Sequence, residues 1–202
     1  MNKAISNPTN DASEIVLTEA PYAVEVETQL TADFLYHRWS NESVAAKSAA
    51  KKGSKAKKED DLESYVYRLA NNDLAVPTEY FRMSLIYAAK YKQDPRSPRK
   101  SAMDLFKAGV VGLTDLNSVG QVDWDFLDSR RVIIQRSAIT RVRPAIRAGK
   151  KISFQLQVLT PEYISPTLLN ETLQSAGRLV GIGDFRPTFG RFQVTKFQVL
   201  SA

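Results

Sequence analysis

Side chains able to perform nucleophilic, acid–base or metal chemistry are scarce in this sequence, and side chains able to hold a polyanion are plentiful. There is no cysteine and one histidine, His37. That excludes a thiol nucleophile, a disulfide framework, and any zinc site needing cysteine or paired histidines. His37 lies between Tyr36 and Arg38 with no sequence neighbour to orient it, so it reads as structural. No serine occupies a nucleophile-elbow sequence. Asp60 and Asp61 directly follow a lysine run, where an acidic pair balances local charge. The sequence predicts no catalytic residue, no metal site and no cofactor, hence a protein that is not an enzyme.

The cations are grouped. Ser129 to Ala202 carries a net charge of +9 and the preceding residues −3, within an overall +6 and a pI near 9.5. A basic half concentrates polyanions near its surface. One group is the loop Gly181-Ile182-Gly183-Asp184-Phe185-Arg186-Pro187-Thr188-Phe189-Gly190-Arg191-Phe192. Glycines permit positive φ and close approach of another backbone. Arg186 and Arg191 supply cationic donors beside the amides of Gly181 and Gly183, a combination that suits phosphates. No Gly-Lys-Ser/Thr follows, so it is not a Walker loop; a helix precedes it, so it is not a dinucleotide fingerprint.

A second group is Arg130, Arg131, Arg136, Arg141, Arg143, Arg147, Lys150 and Lys151. Strand alternation places Arg141 and Arg143 on one face, aimed at one groove. Arginine grips phosphate in two-pronged fashion and stacks on bases; the alternative is a sheet edge protected by solvated charge. The third group is Lys47, Lys51, Lys52, Lys55, Lys57 and Lys58, in a stretch whose only apolar residue type is alanine. Such a stretch cannot offset the entropy of ordering, so it reads as a flexible loop, able to wrap a nucleic-acid backbone with salt-sensitive affinity. Tyr65, Tyr67, Tyr80 and Tyr91 are available to stack on bases or to pack the core.

These groups need elements to hold them. Residues 1–20 read as an arm. Tyr22 to Leu30 alternates as a half-buried strand, and Phe34, Leu35 and Trp39 close the core at its end. An insertion at about 40–61 contains the lysines. Tyr65–Leu69 and Leu74–Pro77 read as a hairpin. Thr78 is a good N-cap for a helix running to about Lys92. Gln93 to Lys100 reads as a linker or exposed loop, and Ala102 to Leu113 is compatible with helix or strand. Val132 to Arg143 reads as a strand stopped by Pro144, and Ile152 to Leu159 as another. Ser165-Pro166 starts a helix that Gly177 ends. Phe192 to Val199 is the last strand, with apolar spacing slipping by one near Thr195, the mark of a bulge.

The resulting order, βαββαβ, predicts an α+β, ferredoxin-like (RRM-like) antiparallel sheet with both helices on one face. It occupies residues 21–202, with insertions at about 40–61 and 93–128. The opposite sheet face is the one RNA-recognition modules use. No run of about 18 apolar residues is present and the start is polar, so we expect no membrane partner and a cytoplasmic protein of a bacterial or phage-infected cell.

The pattern Gly181-Ile182-Gly183-x-x-Arg186-Pro187-x-Phe189-Gly190-Arg191-Phe192-x-Val194 resembles the glycine-rich loop and final strand of the RAMP superfamily, the ferredoxin-like RNA-binding subunits of CRISPR effector complexes. Ala75-Val76-Pro77-Thr78-x-x-Phe81-Arg82 resembles their proline-led entry to the first helix. The Arg141-x-Arg143-Pro144 strand and its hairpin partner, Lys151 to Leu159, resemble the central strands of backbone-type members. The catalytic histidine of RNA-processing members has no clear counterpart, and Asp60 or Asp61 matches a backbone member's metal-dependent aspartate only loosely. The resemblance implies a sequence-tolerant binder of single-stranded DNA or RNA that coats the strand as a head-to-tail oligomer or filament. A RAMP-type endoribonuclease and an assembly protein with a basic protein-binding face are the alternatives; a stand-alone relative from a phage or other mobile element fits as well.

Overall fold

The structure is a computed structural model that describes residues 20–38, 49, 61–134 and 137–200. In chain order its elements are β1 (Tyr22–Leu30), β2 (Phe34–Leu35), β3 (Tyr67–Arg68), β4 (Leu74–Pro77), α1 (Thr78–Ala88), β5 (Gln93–Asp94) and β6 (Ser97–Ser101). Then come α2 (Met103–Gly109), β7 (Val110–Gly112), β8 (Leu116–Ser118), β9 (Phe126–Ile134), β10 (Ser137–Ile146), β11 (Lys151–Val158), α3 (Pro166–Leu179) and β12 (Phe192–Leu200). Among the described residues no helix is long and apolar enough to cross a membrane.

The principal sheet has four strands in the order β12-β1-β11-β7, each neighbour antiparallel. In chain order its strands and the helices α1 and α3 run strand, helix, strand, strand, helix, strand. The alternation seen in the sequence is the cause. Val24, Val26, Thr28 and Leu30 of β1 and Ile152, Phe154, Leu156 and Val158 of β11 all turn to the buried face. There Phe81 of α1 stacks on Phe154 at 4.2 Å and meets Phe192 edge-on at 5.4 Å. Such ring pairs add about 0.5–1.5 kcal/mol each beyond area burial. Ser165 caps α3, its hydroxyl accepting from the Leu168 amide, with Pro166 as the first helical residue. The bulge lies where the spacing slips: the β1–β12 register shifts between Glu27 and Thr28, leaving Thr195 unpaired with its hydroxyl bonded to Glu27.

Several expectations are corrected. The second strand of the principal sheet is Val110–Gly112, inside the interval read as an insertion at 93–128; that interval also contains α2, with Leu105 and Phe106 in the core. The arginine strand is β10, in a separate sheet ordered β2-β10-β9. It is therefore not a hairpin partner of β11, and it pairs with β9 and β2 instead. Pro144 does not end it: the residue pairs with Leu127 inside the strand, and its carbonyl accepts from the Tyr36 amide. Gln93 to Lys100, read as a linker or exposed loop, is largely exposed but is ordered as the β5–β6 hairpin. Pro77 is the N-cap of α1; the Thr78 hydroxyl instead meets Thr114 at 2.7 Å and accepts from Asn117 at 2.8 Å. Gly177 lies within α3, which continues to Leu179. The hairpin at 65–77 forms as β3–β4. The arm, most of the 40–61 insertion and Trp39 lie outside the described residues.

Candidate nucleic-acid interface

The glycine-rich loop is docked, not free. Its Asp184 amide donates to the Leu35 carbonyl of β2, and the Ile182 amide donates to the Gly190 carbonyl. Because β2 pairs with β10, the loop comes to lie over the arginine face of the β9–β10 hairpin. The register places Arg141 opposite Arg130 and Arg143 opposite Asp128, so all four share that face. Phe189 of the loop lies 4.5 Å beneath the Arg130 guanidinium, and Phe185 lies 4.9 Å beneath that of Arg143. Phe185 adopts φ +54, a left-handed backbone that non-glycine residues seldom take. On the loop's other side stands α1, and between them is a cavity of about 270 Å³ lined by His37, Tyr80, Met83, Tyr87, Gly183, Asp184 and Arg186.

Asp184 organises this floor. It receives Arg143 Nε as an ion pair on Oδ2, lies 3.2 Å from His37 Nδ1, and accepts the Phe185 amide on Oδ1. Burial alone would raise the Asp184 carboxyl; His37, the Phe185 amide and the charge of Arg143 outweigh it and hold the group at about 2. The His37 ring is also edge-on to Tyr65 at 5.1 Å, and Tyr67 is edge-on to Tyr80 at 6.0 Å. Burial pushes the Tyr80 phenol well above its ordinary value, so it stays a hydrogen-bond donor. Arg38 lies over Tyr67 and Arg186 over Tyr87. The result is a groove with aromatic walls, an internally neutralised floor and cations at the rim. Bases stack on such rings and phosphates meet such a rim.

The sequence-derived candidates divide accordingly. Arg186 stands exposed at the groove, and Arg191 is exposed at the far end of the same loop. Arg141 faces the groove side and donates to the Tyr65 hydroxyl at 3.1 Å. Arg143 is corrected from phosphate ligand to structural cation, with a side chain only 5% exposed and paired to Asp184. Arg130 is held by Asp128 at 2.7 Å. Arg131 is exposed on the opposite face of β9. Arg147 stacks over Phe126, and Lys150 sits in the turn before β11. Lys151 reaches Glu27 at 2.9 Å on the open face of the principal sheet, away from the arginines. Arg136, Lys51, Lys52, Lys55, Lys57 and Lys58 lie outside the described residues.

The two glycines are also corrected. The Gly181 amide donates to the Ala176 carbonyl, and the residue is buried with φ +73 as the turn after α3. A Cβ on Gly183 would lie 2.5 Å from the Phe34 ring and 2.7 Å from the Leu35 carbonyl. Close approach is required here, but by β2 and not by a ligand. The residues that sequence reasoning missed are Asp184, Met83, Tyr87, Phe185 and Phe189. One signal was available: Asp184 is one of only three carboxylates after Ser129, set among arginines.

The open face of the principal sheet offers no alternative of the RNA-recognition type. Its strand residues include Glu25, Glu27, Gln29, Ser153, Gln155 and Gln157, without an aromatic ring or an arginine. Its charges are matched, Lys151 with Glu27 and Lys196 with Glu25. Among the described residues no group of three or more histidine, aspartate or glutamate side chains is gathered as metal ligands.

No protein-family model matches the sequence, and no curated protein matches it. Among solved structures, the chain is similar to one in the cryo-EM structure of the Type III-B Cmr-beta bound to cognate target RNA, with a TM-score of 0.53 and 12% identity over 90% of this chain. It spans 61% of that chain's length. It also aligns with Csc2 of Thermofilum pendens over 92% of this chain and 68% of the other, with a TM-score of 0.39 and 9% identity. The first similarity, at 12% identity, is one of fold, and it bears out the expected α+β architecture.

Proposed function

We propose that this chain is a non-enzymatic subunit that binds single-stranded nucleic acid in the groove between α1 and the glycine-rich loop. The observation that carries the reading is convergence: the segment after β2, α1 and the loop, distant in sequence, bring His37, Tyr80, Tyr87 and Arg186 to one cleft, with Arg38 over Tyr67 and Arg141 on the Tyr65 hydroxyl beside it. The cleft has stacking surfaces and phosphate donors but no set of side chains that reads one base edge, so binding is sequence-tolerant. RNA is the first ligand to test, since the structural neighbour belongs to a complex bound to target RNA. Several copies would align head to tail along one strand.

Fluorescence anisotropy with labelled single-stranded RNA, single-stranded DNA and duplex DNA across a salt series tests this. The reading expects saturable, salt-sensitive binding that favours single strands. Equal, weak binding to all three that vanishes at physiological salt would reduce the basic half to a charged surface. It would leave the assembly-protein reading, in which that surface meets an acidic protein.

One observation favours a second reading, endoribonuclease. His37 is not isolated, as its sequence neighbours imply, but oriented by Asp184 at the mouth of the cavity, and Nε2 makes no hydrogen bond among the described residues. An imidazole so held can act as a general base beside arginine donors. Cleavage of labelled RNA that is lost in His37→Ala would establish it; intact RNA with and without magnesium would remove it.

A further inference from the structure

Helix α1 does not end at the groove. Its outward side carries Tyr80, Met83 and Tyr87, spaced three, four and seven residues apart so that they share a face, and the 3-10 turn that continues it, Ala89–Tyr91, adds Lys90 and Tyr91. Tyr87 is 39% and Tyr91 59% exposed, so both rings are open to a stacking partner. Tyr87 and Arg186 line the first cavity and also a second, larger one of about 470 Å³ that includes Lys90, Tyr91, Phe185 and Pro187. The two cavities are thus lobes of one trough. At about 1.5 Å per residue along α1 and about 2 Å through the 3-10 turn, Tyr80 to Tyr91 covers roughly 18 Å, longer than a single base stack.

The trough leads to a basic hairpin. Between Lys90 and Lys107 stand six cations and two carboxylates. Asp94 is used by Arg96, which also lies over Tyr163, and Lys92 is used by Glu171. Arg99 and Lys100, on β6, are exposed and carry no ion pair among the described residues. The hairpin is anchored directly to the turn that bears Tyr91: the Ala102 amide donates to the Lys92 carbonyl.

We propose that the trough is a continuous track for a single strand, with bases stacked on Tyr87 and Tyr91 and the phosphates carried onward to Arg99 and Lys100. The β5–β6 hairpin is then a second phosphate platform, beyond the C-terminal end of α1, where the trough passes between Tyr91 and the glycine-rich loop. This rests on the reading of the groove as a single-strand site, and deepens it by giving the strand a direction and a length.

The test is anisotropy with oligouridylates of about 4 and about 16 nucleotides, the range of site sizes typical of single-strand platforms. Wild type is compared with Arg99→Ala/Lys100→Ala, Tyr91→Ala and Arg186→Ala, all exposed positions whose fold is checked by circular dichroism. The track predicts that the double variant lowers the salt slope for the long oligomer by about 1.4 and leaves the short oligomer unaffected. Tyr91→Ala should weaken the long oligomer about fivefold or more. An unchanged slope in the double variant, with Arg186→Ala still weakening binding, overturns the track and leaves the groove standing. No binding by wild type overturns both. Competition by polyglutamate as strong as by polyuridylate overturns the track in favour of an acidic protein surface.

Discussion

Arg143 shows how a residue's environment decides its role. Its guanidinium is buried, and Asp184 provides its counter-charge while orienting His37. Removing one member of such a pair leaves an uncompensated buried charge. Asp184→Asn is therefore expected to cost about 3 kcal/mol, read as a shift in denaturant midpoint. The pH dependence follows from the direction of the shift. A carboxyl held at about 2, below its ordinary 3.8, stabilises the fold above that ordinary value and loses the contribution as pH falls toward 2. Denaturation curves between pH 7 and about 2 should show this loss in wild type and a smaller one in Asp184→Asn. Arg186 is the converse case. It is exposed, so Arg186→Ala should change stability by less than about 0.5 kcal/mol, while lowering the salt slope of single-strand binding by about 0.7. Alternation alone shows that Arg141 and Arg143 share a face. It does not show which is consumed internally, because Asp184 lies 41 residues from Arg143 and reaches it only through the docking of the loop on β2.

At the scale of elements, Gly177 gives a test with an inverted sign. Replacing glycine by alanine inside a helix ordinarily stabilises by about 0.5–1 kcal/mol. Here a Cβ would lie 2.0 Å from the Phe192 carbonyl, so Gly177→Ala must push α3 away from β12. The expected outcome is a lower melting temperature, and a raised one would contradict the packing described. The same contact explains why Gly177 reads as a helix end in sequence: the signal for a C-cap and the signal for close packing are both a glycine. β1, β11, α3 and β12 with its bulge were legible because each is long enough to show its period and buries one face. β7 was not, because three residues carry no period and its identity as a sheet strand depends on pairing with β11. β9 and β10 read as one strand with a proline stop because arginines sit on both, and Pro144 is tolerated where its carbonyl, not an amide, makes the hydrogen bond to Tyr36, the residue after β2.

In the whole molecule, the two faces of the principal sheet divide the work. One face carries α1 and α3 and supports the groove; the other is polar and charge-matched. That division was not legible from the ferredoxin-like order, which pointed equally to the open face. It arises because the cations of β10 belong to a second sheet, and those of the loop are docked on that sheet through β2. If copies align along a strand, mass photometry should show several chains on a long single-stranded RNA and fewer without it. An assembly of the same size without RNA would instead favour the protein-partner reading.

The most direct test of the groove is photo-crosslinking of the protein to single-stranded RNA containing 4-thiouridine, followed by peptide mapping. The account predicts crosslinks in peptides containing Tyr80 to Tyr91 and Gly183 to Arg191, with none on the open face. Crosslinks concentrated in peptides containing Ser153 to Gln157 and Gln193 to Gln198 would contradict it.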